Sequence, residues 1–496
     1  MLYIQNIGEF MNLKLKKFIY SEQVKNNYSL YKNDVSISFE LDISEEYKPI
    51  SQRIFKLAYF LVPVREDKIR IDENYKFFFE KNIFIRSNGK IFYPFFIHPT
   101  SESIFKEWIG IKYKYVSAEN SIFESTPTSS YRSLVVKNIC TDEYFMAKVS
   151  IFGNVANGAR QIDWSSADGQ FFFSKCTNNI ISKISNFEII KDIGAFGITG
   201  DYPIHFSKKY NITYGLDKIQ SFGNVIRPLN DIFDDRTDTS IYSIASLTSV
   251  IDRKDCWFKK ICLASGKEFE DFFLNDFIMV IFEKFFEIFS MYGISLECHC
   301  QNTLIEVTED WKFTGKIIYR DFDITSLDRA RFPFIFPKEW TEYCQNRLDR
   351  TSLYSNLSAR EETGKNFFFQ LMGSIVKSCL LCAVEVNLIN SKQFEVIYNK
   401  IYLIFVDKIH EIIPLNKQIL KTTTTWPFSK KVYSDIDISE IPVSLIKIKS
   451  FEKKLYEKLL INTPEFEITD YYKTEDEKYI LGFSKNIYTQ LFMRRV

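Results

Sequence analysis

Histidine is scarce in this chain of 496 residues, which has only four, and the sequence contains no long run of lysine and arginine. Its 64 basic and 63 acidic residues give a net charge of +1, which removes the electrostatic reason to expect nonspecific nucleic-acid binding. No apolar run is long enough to span a bilayer, and the first residues lack the basic and then apolar order of a signal peptide. We therefore expect a cytoplasmic protein that binds neither nucleic acid nor membrane.

The nine cysteines show no repeated CxxC spacing, and their odd number does not suit a disulfide framework. Cys379 and Cys382 form one CxxC-like pair in the apolar run SCLLCAV, with no second pair elsewhere. That setting favours core packing over a redox or zinc site. Reduced thiols agree with a cytoplasmic location.

Hydrophobic patterns divide the chain into three regions. Residues 1–95 mix short alternating runs with a helical pattern around SQRIFKLAYFLV and carry no chemical motif. Residues 96–245 alternate strand-like pieces (FFIHP, YRSLVV, FMAKVSIFG, QFFFS) with polar turns, which predicts an antiparallel sheet with few helices. Residues 246–496 are mostly helical, with a hairpin expected where 303–307 pairs with 316–320. Strands before helices predict an α+β fold with a cleft between a sheet lobe and a helical lobe.

The stretch ECHCQNTLIEV, residues 297–307, places a carboxylate, an imidazole and two amides close together. If the expected hairpin forms, Asp321 and Asp323 emerge beside the loop that holds His299 and Asn302. Acids then stand next to an imidazole and amides, which makes this stretch a candidate site.

Two other chemistries fit this stretch less well. A zinc site on Cys298, His299 and Cys300 is disfavoured, because adjacent side chains cannot close a tetrahedron without distant partners. On an extended segment the two cysteines would instead pack behind His299 as small apolar residues. A kinase-like phosphotransferase would need its catalytic base at Gln301, and an amide cannot accept the proton.

Two further segments combine hydroxyls with cations. They are PTSSYRSLVVKN and MAKVSIFGNVANGARQ, which supply Ser129, Ser130, Arg132 and Ser133, and then Lys148, Asn157 and Arg160. Guanidinium forks with a point charge on neighbouring strands are suited to a polyphosphate or a polycarboxylate.

Taken in order, SSYRS, a lysine and an arginine twelve residues apart, GISLECHCQN and YRDFD resemble the motifs of the IucA/IucC family of NRPS-independent siderophore synthetases. FFIHPTSE, which contains His98, is similar to the family's HPWQ segment. The resemblance covers residues 95 to about 430, and its specific part is ExHxQN followed by RD. It implies a cupped-hand architecture, with a shortened thumb in 1–95, a fingers domain in 96–245 and a helical palm in 246–496.

The resemblance also implies a reaction. Family members condense a carboxylic acid, often citrate or a derivative, with an amine or alcohol through an acyl-adenylate, and release AMP and pyrophosphate. ATP with Mg²⁺ is expected, as is a homodimer. The family's GHPxHPxxK segment, which contributes an acid-binding histidine, has no counterpart here, so citrate is only the default acid.

Roles for individual residues follow from the same resemblance. Those expected to bind ATP are Ser130, Arg132, Ser133, Lys148, Glu297, His299, Asn302 and Asp321, with Glu297 and Asp321 also near Mg²⁺. Those expected to bind the acid are His98, Asn157, Arg160 and Lys421. The catalytic set would be Arg132, Lys148, Arg160 and His299, and a neutral His299 could help to deprotonate the amine.

Departures from the family pattern leave alternatives open. Ser133 and Ala156 stand where threonines are common, and HPTS replaces HPWQ. The chain could be a non-catalytic paralogue that binds nucleotide or acid, or a kinase-like phosphotransferase. Arg227, in VIRPLND, could approach the cleft but is assigned no role, and His205 and His410 are expected to serve packing or the surface.

Overall fold

The structure describes fifteen stretches of the chain. The computed structural model describes residues 13–24, 43–64, 68–152, 154–155, 158–159, 161–199, 221–233, 238–252, 255–322, 326–328, 357–358, 367–368, 370–410, 467–473 and 479–484.

The helices among these residues range in length from three residues to twenty. They are α1 (Leu13–Glu22), α2 (Lys76–Asn82), α3 (Glu102–Ile109), α4 (Trp164–Ile181), α5 (Asn230–Phe233), α6 (Ile244–Leu247), α7 (Trp257–Ala264), α8 (Phe269–Asp271), α9 (Met279–Tyr292), α10 (Lys377–Glu385) and α11 (Ser391–His410). Short 3-10 turns lie at Glu45–Tyr47, Pro49–Ser51, Glu73–Tyr75, Pro99–Ser101 and Ala118–Asn120. Two π-helical segments, Phe272–Ile278 and Leu371–Val376, lead directly into α9 and α10.

The strands are mostly short. They are β1 (Phe55–Lys56), β2 (Tyr59–Pro63), β3 (Ile69–Ile71), β4 (Ile85–Ser87), β5 (Lys90–Phe96), β6 (Lys114–Val116), β7 (Phe123–Pro127), β8 (Ser133–Asn138), β9 (Glu143–Lys148), β10 (Asn154–Val155), β11 (Gly158–Ala159), β12 (Phe187–Ile190), β13 (Gly194–Thr199), β14 (Ser221–Pro228), β15 (Thr239–Ser243), β16 (Val250–Asp252), β17 (Asp255–Cys256), β18 (Ile294–Ser295), β19 (Thr303–Thr308), β20 (Phe313–Arg320), β21 (Ser326–Asp328), β22 (Leu357–Ser358), β23 (Glu467–Lys473) and β24 (Tyr479–Ser484).

Two sheets position the candidate site. The first has seven strands in the order β1-β7-β8-β9-β14-β13-β3, and all its pairs are antiparallel. The second has four strands in the order β12-β20-β19-β15, in which β12 and β20 run parallel. Another four-stranded sheet, β4-β5-β2-β6, is antiparallel. Together with the long helices, these sheets confirm the predicted α+β class.

A small apolar cluster joins helix α1 to both of the site-forming sheets. Leu15, Phe18 and Ile19 of α1 pack with Met146 on β9 and Ile318 on β20, and each of these side chains is at most 3 % exposed. Burying a side chain of this size stabilises the fold by about 1.5–3 kcal/mol. Helix α1, to which the sequence assigned no role, therefore holds the two sheets against each other.

Several sequence predictions are confirmed in detail. The hairpin predicted from 303–307 and 316–320 forms as β19 and β20, with Thr303 opposite Tyr319. The Phe-rich helix is present from Phe269 to Tyr292, and the later helices are α10 and α11. Within the described part of the chain, no helix combines the length and the apolar character that crossing a membrane requires.

Two secondary-structure predictions are wrong. SQRIFKLAYFLV is not helical but forms β1 and β2, and β2 lies between β5 and β6. Because residues 57–62 are all buried, they form a continuous apolar run, which periodicity cannot tell from a buried helix. QFFFS is not a strand but part of α4, whose N-terminus is capped by the Asp163 carboxylate accepting from the Ser166 N–H at 2.5 Å.

The predicted domain boundaries do not coincide with the edges of sheets. Strands β1 and β3, from 1–95, join the seven-stranded sheet, and β12 and β15 pair with β20 and β19 across residue 245. The three regions therefore share sheets, and the boundaries stay predictions.

Candidate active site

The turn between β7 and β8 presents Arg132. Its ends are closed by Thr128, whose N–H and hydroxyl both donate to the Ser133 carbonyl, at 3.0 and 2.6 Å. The Ser130 hydroxyl accepts from the Ser133 N–H at 2.9 Å. Tyr131 adopts φ +64°, a left-handed conformation that lets the chain reverse within a few residues. Arg132 is thereby held at the start of β8, 9 % exposed, and donates to the Gln161 carbonyl at 3.4 Å.

Lys148, at the end of β9, lies at the centre of the buried charges. It is paired with Ser133 across the β8–β9 ladder and is 2 % exposed. Its Nζ donates to both carboxylate oxygens of Asp321, at 2.8 and 2.9 Å, and to Gln170 Oε1 at 3.2 Å. A lysine from the seven-stranded sheet and an aspartate that follows β20 thus meet, and the resemblance had assigned both to one site.

Arg227 and Asp192 extend this group of charges. Arg227 Nη2 lies 3.3 Å from Asp321 Oδ1, and its Nε is paired with Asp192. Both side chains are almost fully buried. Burial lowers the pKa of Arg227, but Asp192 and Asp321 outweigh it and raise that pKa above its ordinary value. Arg227 therefore remains a cation inside the protein.

Asp321 stays ionised although burial opposes its charge. Burial alone would raise the pKa of Asp321, but Lys148 and Arg227, helped by Arg132, hold it well below its usual range. Burial raises the pKa of Asp192, and Arg227 opposes that rise. The backbone at Asp321 has φ +76°, a conformation that aspartate tolerates better than most residues. The turn after β20 is thus shaped to bring this carboxylate to Lys148.

His299 is fixed by the backbone of its own turn. Its Nδ1 accepts from the N–H groups of Gln301 at 3.1 Å and Asn302 at 3.3 Å. We therefore assign the neutral tautomer with its proton on Nε2, the nitrogen that lies 3.7 Å from Glu297 Oε2. In this tautomer the imidazole is a hydrogen-bond donor at Nε2. Because Nδ1 is occupied by backbone N–H groups, we favour a donor, and the expected role of His299 as a base stays a prediction.

Glu297 and Asp321, the two predicted metal-binding carboxylates, are joined through Tyr319. The Glu297 N–H donates to the Tyr319 hydroxyl at 3.0 Å, and that hydroxyl donates to the Asp321 carbonyl at 2.7 Å. Asn302 Nδ2 donates to Glu297 Oε2 at 3.3 Å. The ExHxQN turn and the RD turn are thus one hydrogen-bonded unit.

These carboxylates suit a magnesium ion that arrives with a nucleotide. Among the described residues, no group of three or more histidine, cysteine or acidic side chains is arranged to hold a metal ion. Mg²⁺ is usually held by one or two carboxylates together with water and substrate phosphates. Asp321, whose pKa is lowered by Lys148 and Arg227, fits that pattern, and Glu297 is the second candidate ligand.

His98 is placed differently from the other predicted site residues. It is fully buried, and its Nδ1 accepts from the Thr100 N–H at 3.2 Å at the start of the turn Pro99–Ser101. Burial lowers the pKa of His98 to about 3, so the ring is neutral. Its edge meets the Tyr47 ring, with centroids 6.0 Å apart. In this setting His98 caps a turn, and its predicted contact with the acid stays a prediction.

Other predicted residues lie outside the described part of the chain. They are Asn157, Arg160, Asp323, Lys421 and His205. Their assigned roles remain predictions.

The cysteine predictions are confirmed. Cys298 and Cys300 belong to the large apolar cluster behind the turn, and burial raises the pKa of both thiols. Cys379 and Cys382 lie in the same cluster. All four thiols serve packing.

Sequence reasoning missed several polar residues of this region. They are Glu22, Gln170, Asp192 and Tyr319, with Arg227 noted but given no role. The available signal was a polar residue at a core position, since Glu22 follows Leu15, Phe18 and Ile19 at helical spacing. Arg227 likewise interrupts an otherwise buried strand.

Neither a protein-family model nor a curated protein matches the chain. Several solved structures do resemble it in fold. ATP-bound aerobactin synthetase IucA from Klebsiella pneumoniae aligns with a TM-score of 0.58 and 17 % identity, over 79 % of this chain and 69 % of that chain. This chain has the fold of aerobactin synthetase.

Two other solved structures share the IucA-type fold. The petrobactin biosynthesis protein AsbB from Bacillus anthracis aligns with a TM-score of 0.53 and 14 % identity, over 75 % of this chain and 66 % of that chain. Aerobactin synthetase IucC from Klebsiella pneumoniae gives 0.51 and 13 %, over 73 % and 64 %. The resemblance to IucA/IucC proteins is confirmed at the level of fold, and the cupped-hand arrangement is consistent with it.

Proposed function

We propose that this protein is a synthetase of siderophore biosynthesis that joins a carboxylic acid to an amine or alcohol at the expense of ATP. The acid is activated as an acyl-adenylate, and AMP and pyrophosphate are released. The observation that carries the proposal is the meeting of Lys148 and Asp321, between the Arg132 turn and the His299 turn. A fold shared with ATP-bound aerobactin synthetase supports a nucleotide at this place.

Adenylation brings two anions together, and the buried cations suit that task. A carboxylate oxygen must attack the α-phosphorus of ATP while the bond to pyrophosphate breaks. Cations that are fixed in advance in a poorly solvated site lower this barrier without reorganising during the reaction. Lys148 and Arg132 are at most 9 % exposed and already oriented, which makes them the candidate phosphate-binding cations.

His299 is best suited to donate a hydrogen bond. With Nδ1 occupied by two backbone N–H groups, Nε2 carries a proton that a phosphate or acyl oxygen can accept. A donor placed where negative charge develops is a common source of rate enhancement. Mg²⁺ held by Asp321 and Glu297 would supply further charge neutralisation at the phosphates.

The test uses the purified full chain with Mg-ATP, hydroxylamine as the nucleophile and a panel of acids that includes citrate and simple dicarboxylates. We expect acid-dependent formation of AMP, pyrophosphate and a hydroxamate. Acid-dependent ADP would instead establish a phosphotransferase. Nucleotide binding without turnover on any acid would favour the non-catalytic alternative. Light scattering on the same preparation would check the proposed homodimer.

A further inference from the structure

Helix α1 ends in a buried carboxylate that contacts both halves of the candidate site. Glu22, the last residue of α1, is 0 % exposed. Its Oε2 accepts from Arg320 Nη2 at 2.7 Å and from the Ser129 hydroxyl at 3.2 Å. Ser129 belongs to the turn that presents Arg132, and Arg320 immediately precedes Asp321. One carboxylate thus connects the seven-stranded sheet with the β20 end.

These contacts close into a ring of hydrogen bonds. The Gln301 side-chain amide donates to the Ser129 hydroxyl at 3.0 Å, and that hydroxyl in turn donates to Glu22. Arg320 donates to Glu22 and also, through Nε and Nη2, to the Gln301 carbonyl at 3.1 and 2.9 Å. Because Gln301 lies between His299 and Asn302, the ring holds the His299 turn (residues 297–302) directly against the Arg132 turn (residues 128–133).

The incomplete hydrogen bonding of the buried Glu22–Arg320 pair favours a role in positioning over a role in stability. A buried ion pair recovers its desolvation cost only with good geometry and full hydrogen bonding, and an apolar pair of similar volume is often no less stable. Here Glu22 Oε1 and Arg320 Nη1 have no hydrogen-bond partner among the described residues. A buried ion pair that leaves a donor and an acceptor unpaired is weak evidence for stability and is compatible with a role in fixing geometry.

We propose that Glu22 is a positioning residue, which holds the Arg132 turn and the His299 turn at the separation that the reacting groups require. Helix α1 can do this because Leu15, Phe18 and Ile19 anchor it between the two sheets. The catalytic consequence rests on the proposed function, whereas the geometric consequence does not.

The test compares Glu22→Gln with wild type by amide hydrogen exchange. Its matched control is Glu46→Gln, which removes a glutamate that is 43 % exposed and pairs with Arg53 on the surface. We expect faster exchange in Glu22→Gln at the amides of Ser133, Gln301 and Asn302, and no change in the core strands β13 and β14. A purely structural role would instead speed exchange throughout both sheets.

Steady-state kinetics provides the second measurement. Misplacement of reacting groups by about 1 Å can cost roughly a hundredfold. We expect kcat for AMP formation to fall between about tenfold and a hundredfold in Glu22→Gln, with KM for ATP within about threefold of wild type. A rise in KM at constant kcat would contradict a positioning role.

Ser129→Ala keeps the proposal testable if Glu22→Gln does not fold. This change removes the hydroxyl that links Glu22 to Gln301 but leaves the Glu22–Arg320 pair in place. Faster exchange confined to Gln301, Asn302 and Ser133 supports the proposal, and unchanged exchange at all three overturns it. Exchange is measured whether or not wild type turns over, so failure of the proposed reaction and failure of the positioning role are separate results.

Discussion

The Lys148 side and the His299 side of the candidate site are held by different forces. Around Lys148, charged side chains form a chain of ion pairs. Lys148 pairs with Asp321, Asp321 with Arg227, and Arg227 with Asp192. Around His299, a neutral ring is held by backbone N–H groups. Stability and activity should therefore depend on the charges of the Lys148 side and on the hydrogen-bond donors and acceptors of the His299 side. The following predictions test that contrast.

The largest effect is expected from Lys148→Met. Removing this cation leaves the Asp192 and Asp321 carboxylates with Arg227 and, more weakly, Arg132, and breaking a buried pair costs about 3 kcal/mol of unfolding free energy. Loss of a fixed cation should also lower AMP formation by about a hundredfold to a thousandfold. Denaturant unfolding and product analysis measure the two effects.

Lys312→Met is the matched control for that change. Lys312 is 63 % exposed and pairs with Asp310 at the surface. Neither stability nor activity should change measurably. Equal losses in Lys148→Met and Lys312→Met would remove any special role for the buried lysine.

Substitutions at His299 should separate a donor from a base. His299→Gln keeps an N–H donor at the far end of the side chain, whereas His299→Leu keeps none. We expect AMP formation to fall by about tenfold in His299→Gln and by about a hundredfold to a thousandfold in His299→Leu. If both variants lose activity equally, His299 acts as a base after all, and the tautomer assigned above is not the reactive one.

The decline of the free energy of unfolding at acid pH, the acid limb, should depend on Asp321. Its pKa is lowered in the folded state from an ordinary 3.8, so its contribution is present above about pH 4 and is lost as the pH falls further. Asp321→Asn should flatten this decline while lowering stability at neutral pH. Unfolding curves at several pH values, with the exposed Asp407→Asn as the surface control, measure it. An unchanged acid limb would mean that other carboxylates govern it.

The smallest effect concerns the thiols behind His299. Cys298 and Cys300 are buried with raised pKa values, whereas Cys140 is exposed. Brief alkylation of the native protein should label Cys140 and leave the other two unmodified. Cys298→Ala should cost about 1 kcal/mol without altering kcat. Rapid labelling of Cys298 would show that its thiol is accessible to solvent and that the core behind His299 is not closely packed.

How much of the site the sequence could reveal depended on distance along the chain. The ExHxQN turn is local, so its residues and the adjoining hairpin were predictable from spacing. That Lys148 and Asp321 belong to one site followed only from the resemblance, and their direct pairing was not predicted. The contact between Glu22 and Arg320 spans 298 residues and was invisible to any local pattern. The errors at SQRIFKLAYFLV and QFFFS came from continuous apolar runs, in which helix and strand look alike.

The docking of helix α1 also has a consequence for how the chain folds during synthesis. Helix α1 leaves the ribosome before its partners on β19 and β20, Leu304 and Ile318, which follow roughly 300 residues later. At typical bacterial and eukaryotic elongation rates that interval is roughly 15–60 s. During that interval the apolar stripe of α1 can pack only against partners that precede β19, such as Met146 on β9, and stays partly available to chaperones. The candidate site can therefore be completed only after β20 has left the exit tunnel.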